Sequence, residues 1–441
     1  MRVVVVGAGA MGLAAAYHAA KAGHAVTVVE AGSEAGGMAA HFDFGGLSLE
    51  RYYHFVCRTD APTFSLMQEL GLGDRMVWKP TTMGYFIGGA LHKWGDPISL
   101  LRFPKLDLVS KIRYGALMFL SAKRPRWDAL ERVSAKDWIT RWCGKAVYDK
   151  LWHPLFALKF YEHADDVSAA WIWTRIHRLG NSRRSMMQEE LGHIAGGTET
   201  LVRALVEKIR ALGGTVRLGE PVEEVVVERG RATGVRTAAG TIPADSVIST
   251  VPTPLVSRMI PGLPAETKAQ YDAIQNIGVA CLVFKLKRSV TPHFWVNIVE
   301  PGVPIPGIIE FSNLRDTGDT IVYVPYYMPV TNPRWSWSDA ALADEAFAAI
   351  RRVNPALTED DRLAVNVARL RHAQPICPPG FAAMIPPVQT PVRGLQVADT
   401  CFYYPEDRGI SESVRFGKMM ADALGYNVPE LKSEIAARAG S

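Results

Sequence analysis

MRVVVVGAGAMGLAAAYHAAKAGHAVTVVE, residues 1–30, decides the fold. Arg2-Val3-Val4-Val5-Val6 is a β-branched run suited to a buried strand, and Gly7-Ala8-Gly9-Ala10-Met11-Gly12 follows it directly. Residues 13–22 read as an alanine-rich helix, Gly23-His24 turns the chain, and residues 25–29 form a second β-branched run ending on Glu30. Strand, G-x-G-x-x-G, helix, strand and acid in this order mark a dinucleotide-binding βαβ unit. Each glycine has its own reason: Gly7 permits the tight turn, Gly9 lets backbone approach a pyrophosphate, and Gly12 lets helix and strand pack closely. The helix start at Ala10 and Met11 offers free N–H groups and a positive dipole end to phosphate. Glu30, with Ala31 beside it, is placed to accept hydrogen bonds from ribose hydroxyls, and would repel a 2′-phosphate.

The bulk numbers narrow the class. At 441 residues the chain is long enough for two domains or more, and 48% hydrophobic with 21% charged residues describes a folded protein. A net charge of +5 over this length does not suggest a nucleic-acid binder. The five cysteines, Cys57, Cys143, Cys281, Cys377 and Cys401, are scattered, odd in number and without C-x-x-C pairing. That spacing argues for reduced thiols in a cytoplasm and against a metal site or disulfide scaffold. No window reaches the ~20 apolar residues that span a bilayer.

A second glycine cluster follows Glu30, as Gly32-Ser33-Glu34-Ala35-Gly36-Gly37-Met38, then a short hairpin over 42–49 leads into Glu50-Arg51-Tyr52-Tyr53-His54. Fingerprint, acid and Gly-Gly pair together resemble the two-motif flavin family of flavin-containing amine oxidases, protoporphyrinogen oxidases and phytoene desaturases. The resemblance implies FAD, with Gly36 and Gly37 against its phosphates and ribitol. Met38 stands where amine oxidases usually carry an arginine. Arg51, Tyr52, Tyr53 and His54 fall where relatives pass the flavin ring. The tail adds a third match: Gly394-Leu395-Gln396-Val397-Ala398-Asp399 looks like the family's closing motif, with Asp399 holding ribitol or pyrophosphate hydroxyls. Glu406, Arg408, Gly409 and Ile410 lead into a helix over 411–424 whose N-terminus is expected to face the flavin pyrimidine. In the family, backbone near Val222 meets the adenine.

The expected fold is α/β. A Rossmann-like FAD-binding domain is built from 1–59, 195–255 and 390–430, with a helical subdomain over 60–194 and a mixed-sheet, β-rich substrate domain over 256–389. Residues 94–130 mix Leu, Ile, Phe and Met with Lys105, Lys111, Arg113, Lys123, Arg124 and Arg126, a pattern consistent with peripheral contact on the inner face of an anionic membrane or with a solvated helix pair. Aromatic residues from Trp138 to Trp173 are divided between core and an apolar substrate pocket.

No G-x-S-x-G, H-E-x-x-H or P-loop is present, so the chemistry is the flavin's, and the chain's part is to orient a substrate. His54 is the acid/base candidate, Tyr53 lies beside it, and Arg408 is placed at the flavin carbonyl side, with a salt bridge to Glu406 or Asp407 as its rival role. Cys377, Cys401 or His54 are the residues able to hold flavin covalently. Amine oxidases of the family place a lysine on a strand near flavin N5; over residues 278–285 its place falls on Ala280 or Leu282, and Lys285 is the only lysine nearby. The leading expectation is therefore a FAD-dependent oxidoreductase taking hydride from an apolar, isoprenoid-like or tetrapyrrole-like molecule, with oxygen or quinone as final acceptor. The alternatives are an amine oxidase, a reduced-flavin sugar-nucleotide mutase using Arg175, Arg178, Arg183 and Arg184 for a diphosphate, and a catalytically silent flavin-binding partner.

Overall fold

Five parallel strands gather both ends and the middle of the chain into one sheet, in the order Leu395–Val397, Ser246–Ser249, Arg2–Val6, Ala25–Val29, Thr215–Arg217. The structure, a computed structural model, describes residues 1–425; the remainder of the 390–430 segment lies outside the described residues. Val3 to Val6 occupy the sheet centre at 3% exposure or less. Buried on both faces, each valine contributes on the order of 2 kcal/mol. The central strand is therefore a continuous apolar run with no alternation.

Helix Ala10–Lys21 leaves this sheet and is buried along nearly its whole length, between helices Glu199–Ala211 and Ile410–Asp422. Its small residues allow that. A Cβ on Gly417 would sit 2.5 Å from the Met11 carbonyl oxygen and 2.8 Å from the Ala14 Cβ, so the first and last described helices cross at van der Waals distance only because Gly417 has no side chain. At the helix start, a Cβ on Gly12 would fall 2.0 Å from the Gly7 carbonyl oxygen.

The second large sheet has seven strands, ordered Arg362–Pro375, Asn276–Leu286, Thr320–Met328, Gly307–Glu310, Trp295–Ile298, Met83–Ile87, Ala90–Trp94. Its pairings are antiparallel except Trp295–Ile298 with Met83–Ile87. Side chains alternate across it. Ala280, Leu282 and Phe284 join helix Asp339–Val353 in one core, whereas Val279, Cys281, Val283, Tyr323 and Tyr327 face the rest of the molecule.

Two expectations are corrected here. Residues 60–194 are not a purely helical unit: Met83–Ile87 and Ala90–Trp94 complete the seven-stranded sheet, and Met76–Thr81 pairs with Glu189–Ile194. The overlooked signal is Gly88-Gly89, at φ +63° and +71°, a two-residue hairpin turn that only glycine adopts freely at both positions. The strand position compared with the amine oxidase lysine also changes. Ala280 and Leu282 point into the helix-covered core, and Val279 and Cys281 face the cavity described below. Lys285 pairs with Asp319 at 2.7 Å and does not line that cavity.

Candidate active site

The two glycine motifs meet backbone to backbone. Helix Ala10–Lys21 begins at Gly9 with no side-chain cap and no acid in its first turn, which leaves its first N–H groups open to an anion. Gly36 donates its N–H to the Ala8 carbonyl at 2.8 Å and forms a parallel bridge with Gly9. A Cβ on Gly37, whose φ is +58°, would sit 3.0 Å from the Gly9 Cα. The result is a cradle with no side chain on its rim.

Glu30 stands at the outer end of this cradle. Its carboxylate accepts from the N–H groups of Ala8 and Gly32, each at 2.7 Å, which fixes its direction and leaves acceptor capacity on both oxygens. Glu30 donates its own N–H to the Arg217 carbonyl, and Glu220 donates to the Glu30 carbonyl, both at 2.9 Å. This brings the segment before Val222 alongside Glu30 and Ala31. Arg51 reaches Glu34 at 2.9 Å on the surface. Glu50 is buried away from the cavity and accepts the Thr198 N–H at 2.8 Å, so it ties the hairpin to helix Glu199–Ala211.

Asp399 departs from its expected role. Its carboxylate, 7% exposed, accepts from the N–H and hydroxyl of Thr253 and from the N–H of Cys401. Three of its acceptor positions are thereby filled, and the side chain anchors the turn leading to Gly409 instead of reaching out to a ligand. Helix Ile410–Asp422 starts at Gly409, again with no side-chain cap. Glu406 is bound to the Thr174 hydroxyl at 2.9 Å, and burial raises its carboxyl above the usual range.

A cavity of about 800 Å³ runs from Met38, Tyr52 and the 408–410 turn out to helices Pro97–Arg102 and Leu108–Lys123. Tyr53, His54 and Arg408 converge at its inner end. Tyr53 packs edge-on against Trp295 and Tyr323, with ring centres 5.5 and 5.9 Å away. Burial holds the His54 imidazole below its ordinary value, so the ring is neutral at pH 7. Arg408 donates to the Ala373 carbonyl and, at 3.2 Å, to the Tyr327 hydroxyl. The rival salt bridge to Asp407 is taken by Arg175 at 2.6 Å. His54 Nδ1 and Arg408 Nε are buried without a hydrogen-bond partner among the described residues. Cys377 and Cys401 do not line the cavity, so covalent flavin attachment through either has no geometric support.

Four arginines of the diphosphate reading are accounted for differently. Arg175, Arg178 and Arg183 line the cavity, the first paired with Asp407, the second with Asp60 at 2.7 Å and the third 3.8 Å from Glu189, whereas Arg184 is outside it. Sequence reasoning passed over Lys159, Tyr327 and Cys281, all of which line the cavity. For Lys159 a signal exists. Trp152, Leu155, Phe156 and Lys159 fall at i, i+3, i+4 and i+7, so a lysine completes an apolar stripe that faces one space.

The residues present fit a dinucleotide flavin. Gly9, Ala10 and Met11 would hold phosphate by backbone alone, Glu30 a ribose, and Tyr53, His54, Arg408 and Ile410 would border the ring. Fold and cradle define a dinucleotide-binding α/β protein, and comparison with known proteins narrows this. The family model for flavin containing amine oxidoreductases matches residues 12–400. The chain belongs to that family, and its cofactor is FAD. It is 27% identical over 322 residues to a 15-cis-phytoene desaturase of Synechococcus elongatus, covering 66% of each chain. Against the Arabidopsis thaliana 15-cis-phytoene desaturase it is 24% identical over 282 residues, 59% of this chain and 49% of the relative. The matches thus span about half to two thirds of these relatives. Among solved structures, reduced UDP-galactopyranose mutase superposes with a TM-score of 0.77 at 17% identity, covering 99% of this chain and 98% of that one. Putrescine oxidase bound to putrescine gives 0.72 at 20% identity, covering 96% and 99%. At these identities the structural likeness speaks to the fold.

Proposed function

We propose that the protein is a FAD-dependent oxidoreductase that takes hydride from a C–H bond of an apolar substrate, isoprenoid-like or tetrapyrrole-like, with oxygen or a quinone as final acceptor. The observation that supports this reading best is the cavity itself, which links the 408–410 turn to two surface helices through a wall that is mostly aromatic and aliphatic. Bound FAD supplies a hydride acceptor at the ring N5. The chain's own residues do the rest. Trp94, Tyr114, Trp152, Phe156 and Trp171 exclude water and grip an apolar body. Neutral His54, with an unpartnered nitrogen, is available to accept a proton at the inner end. Arg408, bound to Tyr327, keeps positive charge there.

The same electrostatics disfavour an amine substrate. Arg175 takes Asp407, and Arg408 is bound only to the Ala373 carbonyl and the Tyr327 hydroxyl, so a substrate ammonium would meet a guanidinium that no carboxylate neutralises. The outer end is suited to contact with a lipid surface. Leu101, Leu108, Val109, Ile112, Phe119 and Leu120 are each 48–63% exposed on helices Pro97–Arg102 and Leu108–Lys123, with Lys111 and Lys123 on the second helix. No helix of the described residues is long and apolar enough to cross a membrane. Contact is therefore proposed as peripheral, with apolar side chains in the bilayer and basic ones at anionic head groups. Anaerobic mixing of the flavin-loaded protein with a polyprenyl lipid, a porphyrinogen, an amine and a UDP-sugar tests the reading. Bleaching by either of the first two is expected, and bleaching by the amine alone would refute it.

A further inference from the structure

The inner end of the cavity gathers basic side chains that its carboxylates do not all engage. Lys159, on helix His153–Phe160, places Nζ 4.5 Å from the centre of the Tyr327 ring and 5.0 Å from a Trp171 ring centre. Arg408 shares the Tyr327 ring at 5.8 Å, and Arg175 stacks on Trp171 at 3.3 Å. The three basic groups are thus gathered by two aromatic rings in one cavity.

Their anionic neighbours do not match them. Asp407 is engaged by Arg175 at 2.6 Å. Glu406 is turned to the Thr174 hydroxyl at 2.9 Å, and burial pushes the nearby Cys377 thiol up, so the thiol offers no negative charge. Lys159 makes no hydrogen bond or ion pair among the described residues, only ring contacts. Burial, then Arg408 and Arg175, press its ammonium well below the usual lysine value. A lysine in that position is costly to the fold unless a ligand completes it. Towards Leu100, Met118 and Phe119 the wall is mostly apolar, and the charged residues Asp96, Lys123, Arg178, Arg183 and Glu189 also border it.

We infer that the substrate is an amphiphile whose apolar body fills this cavity and whose inner end bears an anionic group, a carboxylate or phosphate, held between Lys159 and Arg408. The inference rests on the apolar-substrate reading above and narrows it. An anion there would favour the protonated form of Lys159, which with the Arg408 guanidinium at the same ring would supply charge-assisted donors to oxygen anions. An alcohol or hydrocarbon terminus would leave the Arg408 guanidinium without an anion and Lys159 without a charged partner.

The flavin-loaded protein is titrated with dodecyl phosphate, dodecanoate, dodecanol, dodecylamine, inorganic phosphate and UDP, with the flavin absorbance difference spectrum as readout. The two anionic amphiphiles are expected to bind roughly tenfold or more tighter than dodecanol, and inorganic phosphate far more weakly than either. Lys159→Met is expected to erase the preference while keeping dodecanol affinity, and Lys159→Arg to restore it. Equal binding of dodecanol or dodecylamine by the unaltered protein overturns the inference, as does a Lys159→Met protein that keeps the preference or that changes only the flavin spectrum. Tight binding of UDP or phosphate without an apolar chain would overturn the amphiphile and favour the sugar-nucleotide reading. Absence of binding by every dodecyl compound would instead bring down the apolar-substrate reading itself.

Discussion

Gly37→Ala tests the contact between the two glycine motifs. The new methyl group meets two separate obstacles. Gly37 has φ +58°, where an alanine costs about 1–2 kcal/mol in either the free or the loaded protein. Its Cβ would also lie 3.0 Å from the Gly9 Cα, inside ordinary carbon contact, and relief requires the 36–38 loop to draw away from the helix start. The free protein can open there, whereas the cradle that holds the pyrophosphate cannot. The crowding, about 1–3 kcal/mol, therefore falls on cofactor affinity, which amounts to a FAD dissociation constant weaker by about 5- to 150-fold. Gly45→Ala separates the two effects, because Gly45 has φ +69° but no atom within 4 Å of its would-be Cβ. Flavin fluorescence titration of the deflavinated protein reads affinity, and urea unfolding reads stability. Gly45→Ala is expected to lose stability alone. A Gly37→Ala protein that binds FAD as tightly as the original, or a Gly45→Ala protein that loses as much, would refute the reasoning.

Gly417→Ala forces a methyl into the Met11 carbonyl and Ala14, and is expected to cost about 1–3 kcal/mol in urea unfolding. Because the Lys159 ammonium is depressed in the folded state, the unfolded chain binds the extra proton between that lowered value and the ordinary lysine pKa, so Lys159 destabilises most at low pH. The gain in melting temperature from Lys159→Met is thus expected to be larger at pH 6 than at pH 9; Arg408, Arg175, Asp407, Cys377 and Tyr327 face the same group, and a gain that grows with pH would contradict the sign. Leu108→Glu with Ile112→Glu places two charges on the exposed helix face and is expected to abolish flotation with anionic liposomes while leaving flavin content and melting temperature intact.

The nucleotide cradle was legible because its constraints are stereochemical and local. A left-handed turn at Gly7, a close approach at Gly12 and a strand of valines each leave a mark on one residue type. The cavity was not legible, because its wall is assembled from helices, strands and turns spread between Met38 and Ile410, and no single stretch shows which faces will share a space. Asp399 marks the limit of motif reading. Its place in the closing motif was visible, but its spatial neighbours Thr253 and Cys401 decide what its oxygens do. The strand compared with the amine oxidase lysine failed for a similar reason: a period of two identifies alternate faces, and only the covering helix Asp339–Val353 says which face is core.

The parallel sheet has a consequence for synthesis. Its central strand, Arg2–Val6, leaves a ribosome about 240 residues ahead of its neighbour Ser246–Ser249, and that strand in turn awaits Leu395–Val397. The helix that opens the cradle is covered on one side by Ile410–Asp422. A nascent chain carrying the whole glycine fingerprint thus exposes an apolar sheet edge and an uncovered helix until residues 395–422 have been made. Pairings of such sequence separation are slow to close and prone to association meanwhile. Cofactor capture in this sense waits on distant residues, and flavin content reports on synthesis through residue 422 as much as on residues 1–30.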